Sequence, residues 1–139
     1  MKRLAVLSVM AVLFSAVCAF GAVQDFGKFT LDIPEGWTAA QDGSTVVVTK
    51  NDNTAAMSMT FDSAEGASLE ELAAAFAKEL NASDPKPTGD GDYTFAFKNQ
   101  NGVDSNCLLS GGDGMYILIV MTGDDVAGMT AIRDTFSFK

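Results

Sequence analysis

Met115-Tyr116-Ile117-Leu118-Ile119-Val120-Met121 is seven consecutive apolar residues, and this run constrains the fold more than any other feature of the chain. Seven residues are too few to cross a bilayer, which takes about 20 in a helix. Successive strand side chains point to opposite faces, so a strand that is apolar at every position has no side to give to water. The run is expected to be a central strand covered on both faces, and the covers are expected to be helices.

The flanking sequence supplies the rest of a sheet. Phe29, Leu31 and Ile33 alternate with Lys28, Thr30 and Asp32, and Pro34-Glu35-Gly36 ends that strand just before Trp37. Ser44 to Lys50, centred on Val46-Val47-Val48, and Ala55 to Phe61 flank the turn Asn51-Asp52-Asn53 and read as a hairpin, with Met57, Met59 and Phe61 on one face. Tyr93, Phe95 and Phe97 alternate with Thr94, Ala96 and Lys98, and Asn101-Gly102 turns the chain into Val103 to Ser110. Gly111-Gly112-Asp113-Gly114 then turns it into the apolar run, completing an antiparallel meander.

Two helices are expected. Ser68-Leu69-Glu70-Glu71 is a capping box, and Leu69, Leu72, Ala73, Phe76 and Leu80 follow with the spacing of one apolar helix face. Asp124 or Asp125 caps a second helix bearing Val126, Met129, Ile132 and Arg133, followed by a short closing strand at Phe136-Ser137-Phe138. Between the first helix and the meander, Asn81 to Asp92 holds Pro85, Pro87, Gly89 and Gly91 and reads as an exposed loop. The fold class is α+β: an antiparallel sheet of about six strands with helices on both faces, an α/β/α sandwich.

The first 21 residues carry an address. Met1-Lys2-Arg3 followed by the apolar run Leu4 to Phe14 has the form of a secretory signal, and Ala19-Phe20-Gly21 places small residues for cleavage before Ala22. Val17-Cys18-Ala19 offers a second cut, before Phe20. Two membrane-attached alternatives stand beside cleavage: Leu4 to Val23 is long enough to be an anchor, and Cys18 is a site for lipidation, although Ser15-Ala16-Val17 departs from the usual lipobox. Cleavage leaves one domain, residues 22–139. It removes Lys2 and Arg3 but none of the 18 acidic residues, so the net charge falls from −9 to −11. The mature protein is expected in the periplasm or secreted.

Composition then excludes chemistry. The chain has no His, which removes Ser-His-Asp and Cys-His triads and His-ligated zinc. The strong negative charge argues against a nucleic-acid partner, which is held by clustered Lys and Arg. Cys107 is the one cysteine after cleavage and cannot form an internal disulfide; with no basic sequence neighbour it reads as a buried, unreactive thiol.

The order of these elements resembles a known superfamily. Phe29-x-Leu31-x-Ile33-Pro34-x-Gly36-Trp37, then a hairpin, a capped helix, a three-strand meander, and Ile132 leading to Thr135-Phe136-Ser137-Phe138, is similar to the PsbP/DcrB-like domains over nearly all of residues 22–139. The resemblance implies an antiparallel sheet between helices. It also implies accessory binding rather than catalysis, since members include an extrinsic subunit of the photosynthetic oxygen-evolving complex, a Ran-binding nuclear factor and bacterial envelope lipoproteins, with no shared catalytic motif.

Few residues invite a site. Asp84, Asp90 and Asp92 bring carboxylates into one loop, but the EF-hand spacing fails, with Phe95 where Gly is needed and Asn101 where Glu is needed. Trp37 is either a partner anchor or a lid on the core. Met57, Met59, Met115, Met121 and Met129 line either an adaptable surface or the core. Asn81-Ala82-Ser83 fits a glycosylation triplet and is given no role. No carboxylate pair has the spacing of a glycosidase. The expectation is an exported, non-catalytic accessory protein without cofactor or metal, binding a protein partner of the bacterial envelope. The alternative is a periplasmic carrier of a small apolar ligand.

Overall fold

The computed structural model describes residues 22–139. The expected signal, the anchor alternative and Cys18 lie outside the described residues, except that Ala22 and Val23 begin the first strand. Among the described residues no helix is long and apolar enough to cross a membrane.

Ten strands and two helices follow in the order β1 (Ala22–Asp25), β2 (Phe29–Ile33), β3 (Trp37–Asp42), β4 (Thr45–Lys50), β5 (Ala55–Ser63), α1 (Leu69–Glu79), β6 (Lys86–Pro87), β7 (Tyr93–Lys98), β8 (Asp104–Gly112), β9 (Met115–Gly123), α2 (Val126–Arg133) and β10 (Ser137–Phe138). The expected apolar run is β9. It lies inside a seven-stranded antiparallel sheet of order β3-β4-β5-β9-β8-β7-β6. β5 and β9 pair over nine residues, from Ala55↔Gly123 to Ser63↔Met115. β8 reaches β9 through the two-residue turn Asp113-Gly114, whose φ values of 55° and 78° are the left-handed pair that a tight hairpin following the strand twist requires. At the other end, Gly123 has φ 107°, and a Cβ there would collide with the Thr54 carbonyl oxygen.

β9 divides the core by side-chain parity. Ile117, Ile119 and Met121 belong to one buried cluster, with Met57, Met59, Val46, Val48, Trp37, Leu31, Met129 and Ile132. Tyr116, Leu118 and Val120 pack against a second, formed by Phe95, Cys107, Leu109, Ala73 and Ala77. We call these sides the Ile119 face and the Leu118 face. α2 gives Met129 and Ile132 to the first cluster, whereas α1 gives Ala73 and Ala77 to the second.

The strand count corrects the sequence reading: about six strands in one sheet were expected, and there are ten in two. Phe29–Ile33 does not join the main sheet. It forms the centre of a separate three-stranded sheet, with β1 on one edge and β10 on the other. Gly36, at φ 91°, and the Trp37 N–H bonded to the Pro34 carbonyl at 3.2 Å turn the chain sharply after β2, and β3 enters the other sheet beside β4. The omitted strands are short or weakly patterned: β3 reads Trp-Thr-Ala-Ala-Gln-Asp, and pairing with β4, not intrinsic preference, makes it a strand. The Asn81 to Asp92 segment is mostly exposed as expected, yet it contains β6, which pairs Lys86 with Thr94 and Pro87 with Tyr93.

Both helix starts follow the sequence. The Glu71 N–H donates to the Ser68 hydroxyl at 3.1 Å, and that hydroxyl lies 3.2 Å from the Glu71 carboxylate, so α1 begins at the capping box. Of the two candidate caps for α2, Asp125 is used, accepting from the Gly128 N–H at 2.9 Å. Its other oxygen takes Lys50 Nζ at 3.0 Å, tying the end of β4 to the start of α2. The Gly128 amide first, and then Lys50, hold the Asp125 carboxyl below its ordinary pKa, while the bond to Asp125 raises Lys50 above its own.

Leu31 is fully buried where the small sheet meets the Ile119 face, so Leu31→Ala is expected to cost about 2–5 kcal/mol and Ser68→Ala about 1 kcal/mol, read from urea unfolding midpoints. The stabilisation from Asp125 is complete above the ordinary carboxylate range and is lost as pH falls through its lowered folded-state value. The thermal midpoint of Asp125→Asn is therefore expected to fall less between pH 5 and pH 2.5 than that of the wild type.

Candidate functional site

The sheet changes which side it buries as it crosses β9. To one side, β5 presents Met57, Met59 and Phe61 on the Ile119 face, and the small sheet and α2 cover them. To the other, β8 and β7 turn Cys107, Leu109 and Phe95 to the Leu118 face, under α1. The Ile119 face of β8 and β7 is left carrying Asn106, Leu108, Ser110, Thr94 and Ala96, which register with β9 shows to be neighbours of Met121, Ile119 and Ile117.

Two adjoining clefts occupy this uncovered quadrant. One, of about 570 Å³, is walled by Phe61, Phe136 and Phe138 over a floor of Leu108, Ile117 and Ile119, and closes at the β8–β9 turn. The other, of about 420 Å³, runs over Leu108, Asn106, Ile119 and Met121 between Val126 and Thr130 of α2 and the Ser83 to Lys86 segment. Leu108, Ile119 and Arg133 line both, so the clefts form one groove with a guanidinium at its middle. Phe138 is 63% exposed and Val126 49% exposed, which puts two of the five large exposed apolar side chains on its wall. Phe136 and Phe138 meet edge to face at 4.8 Å, and Phe138 meets Phe61 at 5.6 Å, so the aromatic end is a packed unit.

The opposite uncovered quadrant is a useful contrast. The Leu118 face of β4 and β5 shows Thr45, Val47, Ser58 and Thr60, a flat surface of short side chains whose Thr45 and Thr60 hydroxyls lie 2.9 Å apart. That surface exposes Val47 at 39%, whereas Ile117 and Ile119 on the groove floor are buried and the exposed apolar carbon of the groove is that of Phe138 and Val126, beside part-buried Leu108.

Two charged groups of the groove have protein partners. Asp92 accepts from the Ser110 hydroxyl at 2.7 Å, and Arg133 donates to Asp134 at 3.3 Å. Tyr116, whose ring lies on the other face against Phe76 of α1, is raised in pKa by burial first and then by Asp62 and Glu65.

The residues singled out in the sequence fall elsewhere or only at the margin. Trp37 is 5% exposed and its ring lies under Gly128 of α2, so it is a core side chain with no surface to offer a partner. Met57, Met59, Met121 and Met129 are also buried. Cys107 is buried, and burial pushes its thiol up to about 11. Asp84 and Asp92 border different clefts of the groove while Asp90 borders neither, and among the described residues no group of three His, Cys, Asp or Glu is placed to hold a metal ion. Leu108, Val126, Arg133, Phe136 and Phe138 were read as parts of strands and a helix, because the groove exists only once α2 and β10 fold back beside β8.

No protein-family model and no curated protein matches the chain. Solved structures do. Cyanobacterial PsbP (CyanoP) from Synechocystis sp. PCC 6803 is 12% identical with a TM-score of 0.59, over 87% of this chain and 94% of that one. This is a PsbP-like fold. The Ran-binding protein Mog1p of Saccharomyces cerevisiae shares it at 9% identity and a TM-score of 0.58, over 85% and 95% of the two chains. A Bacteroides thetaiotaomicron protein is 16% identical with a TM-score of 0.54 over 86% of this chain, which spans about half (48%) of that protein.

The burial of Cys107 and Trp37 sets a solution check. The native thiol is expected to resist a disulfide reagent at pH 8 and to react at once in denaturant, and Trp37 fluorescence is expected to be blue-shifted until unfolding. Rapid native labelling would show that the Leu118 face opens.

Proposed function

We propose that this chain is an exported, single-domain, non-catalytic binding protein of the cell envelope, docking on a protein partner through the groove between α2, β10 and the open half of β8. One observation carries the reading: an apolar groove beside part-buried Leu108, with Phe138 and Val126 standing exposed on its walls. The two core clusters support a layered sandwich with one helix to each face. The lack of His, together with groove charges that already have protein partners in Asp92 and Arg133, supports binding rather than catalysis. The fold neighbours fit this reading in kind, one of them being named for binding Ran.

A carrier of a small apolar ligand is the second reading, and the cleft volumes favour it, since 570 and 420 Å³ lie within the range of ligand pockets. Against it, the smaller cleft is bordered by the exposed residues Thr94, Ala96 and Asn106.

Native mass spectrometry on the protein drawn gently from its host envelope at low salt tests both. A chain beginning at Ala22 with a bound protein that dissociates as salt is raised is the expected result, because an acidic surface recruits a basic one electrostatically. A bare chain at low salt would remove the accessory role, and a retained small molecule would put the carrier in its place.

A further inference from the structure

The groove has the dimensions of a missing helix. Its floor is β8 and β9 at the aromatic cleft and takes in β7 at the other, and two strands at about 4.8 Å spacing span about 10 Å, the diameter of one helix with its side chains. Along β8 it runs from Asn106 to Gly112, about 20 Å at strand rise, which corresponds to a helix of about 14 residues. On the Leu118 face α1 fills the equivalent space against β7 and β8 with eleven residues. On the Ile119 face the eight residues of α2 lie over β9 and β5 and stop short of it.

Charge selects the kind of helix. Asp84, Asp92 and Asp113 line the groove, against the two cations Lys86 and Arg133, on a chain of net charge −9. Arg133 lines both clefts, and one of its amino groups donates to Asp134 at 3.3 Å. A second copy of this chain would bring the same excess of negative charge, and a fatty acid would meet the rim carboxylates with its own.

Resting on the proposed binding role, we infer that the groove receives an amphipathic helix of about 14 residues from a partner protein. Its stripe of Leu, Ile or Phe lies on Leu108, Ile119 and the Phe136–Phe138 wall. Its Lys and Arg flank meets Asp84, Asp92 and Asp113, and one acidic residue near its centre meets Arg133.

The probe is a fluorescein-labelled 14-residue helical peptide with a leucine stripe, lysine flanks and one central glutamate, read by anisotropy against the intact mature chain. Binding is expected to weaken several-fold from 50 to 300 mM NaCl and at least tenfold when the lysines are exchanged for glutamates. Leu108→Glu is expected to weaken it at least tenfold. Val126→Glu, at an exposed helix position that leaves the core untouched, is expected to weaken it several-fold, while Val47→Glu on the opposite uncovered quadrant changes nothing. Absence of binding, equal binding of both peptides, or equal loss with Val47→Glu would overturn the inference. So would dodecanoate binding that Leu108→Glu abolishes while the peptide fails to bind, since the groove would then belong to a carrier. A natural partner that stays bound to Leu108→Glu would overturn the groove assignment and leave the accessory role standing.

Discussion

A strand that is apolar on both sides must be covered on both sides, and the rest of this molecule is arranged around that demand from β9. Its two neighbours answer it differently. β5 is apolar on the Ile119 face and carries Ser58 and Thr60 on the other, while β8 is apolar on the Leu118 face and carries Asn106 and Ser110 on the other. The buried side of the sheet therefore changes as it crosses β9. The small sheet and α2 attach on one diagonal and α1 on the other, because each cover goes where apolar carbon would otherwise meet water.

Covers placed on a diagonal leave two quadrants open, and the difference between them is where function enters. The quadrant of Thr45, Val47, Ser58 and Thr60 has the alternation of an antiparallel sheet that faces solvent on one side. The groove breaks that alternation at Leu108, and its walls add Phe136 and Phe138 from a segment that had the choice of burying them. β10 pairs with β2 through only Ser137↔Thr30 and Phe138↔Phe29, which holds the Phe138 ring at the rim of the groove instead of in the core. Exposed aromatic carbon kept in place by strand pairing and by stacking on Phe61 and Phe136 is a surface already organised for contact, so ordering it on binding costs little entropy.

Much of this was legible in the sequence where a local rule sufficed. The β9 run, the Ser68 capping box, an aspartate cap for α2 and the hairpin at Asn51 to Asn53 are each set by a few adjacent residues. The separation of β2 from the main sheet was not legible, because the alternation at Phe29, Leu31 and Ile33 shows that one side is buried without showing against what. Nor was β3, whose alanines and polar residues become a strand through Val46 and Val48 across the ladder. The groove was invisible for the same reason: Arg133 and Phe138 lie 25 and 30 positions after Leu108, and only the return of α2 and β10 beside β8 brings them together. Trp37, the most conspicuous side chain in the sequence, is in the core because the turn at Gly36 aims it beneath α2.

The PsbP-like fold is shared here at 9–16% identity with proteins as different as CyanoP and Mog1p. Such divergence is tolerable in a core that asks only for apolar residues of suitable volume at alternating positions. It also means that the shared architecture cannot carry a shared chemistry, which lives in particular side chains. In this chain the diagonal covering separates those two tasks. Stability rests on the clusters around Met57, Leu31 and Leu109, while Val126 of α2 and Phe138 of β10 stand outside them, where packing constrains the side chain least.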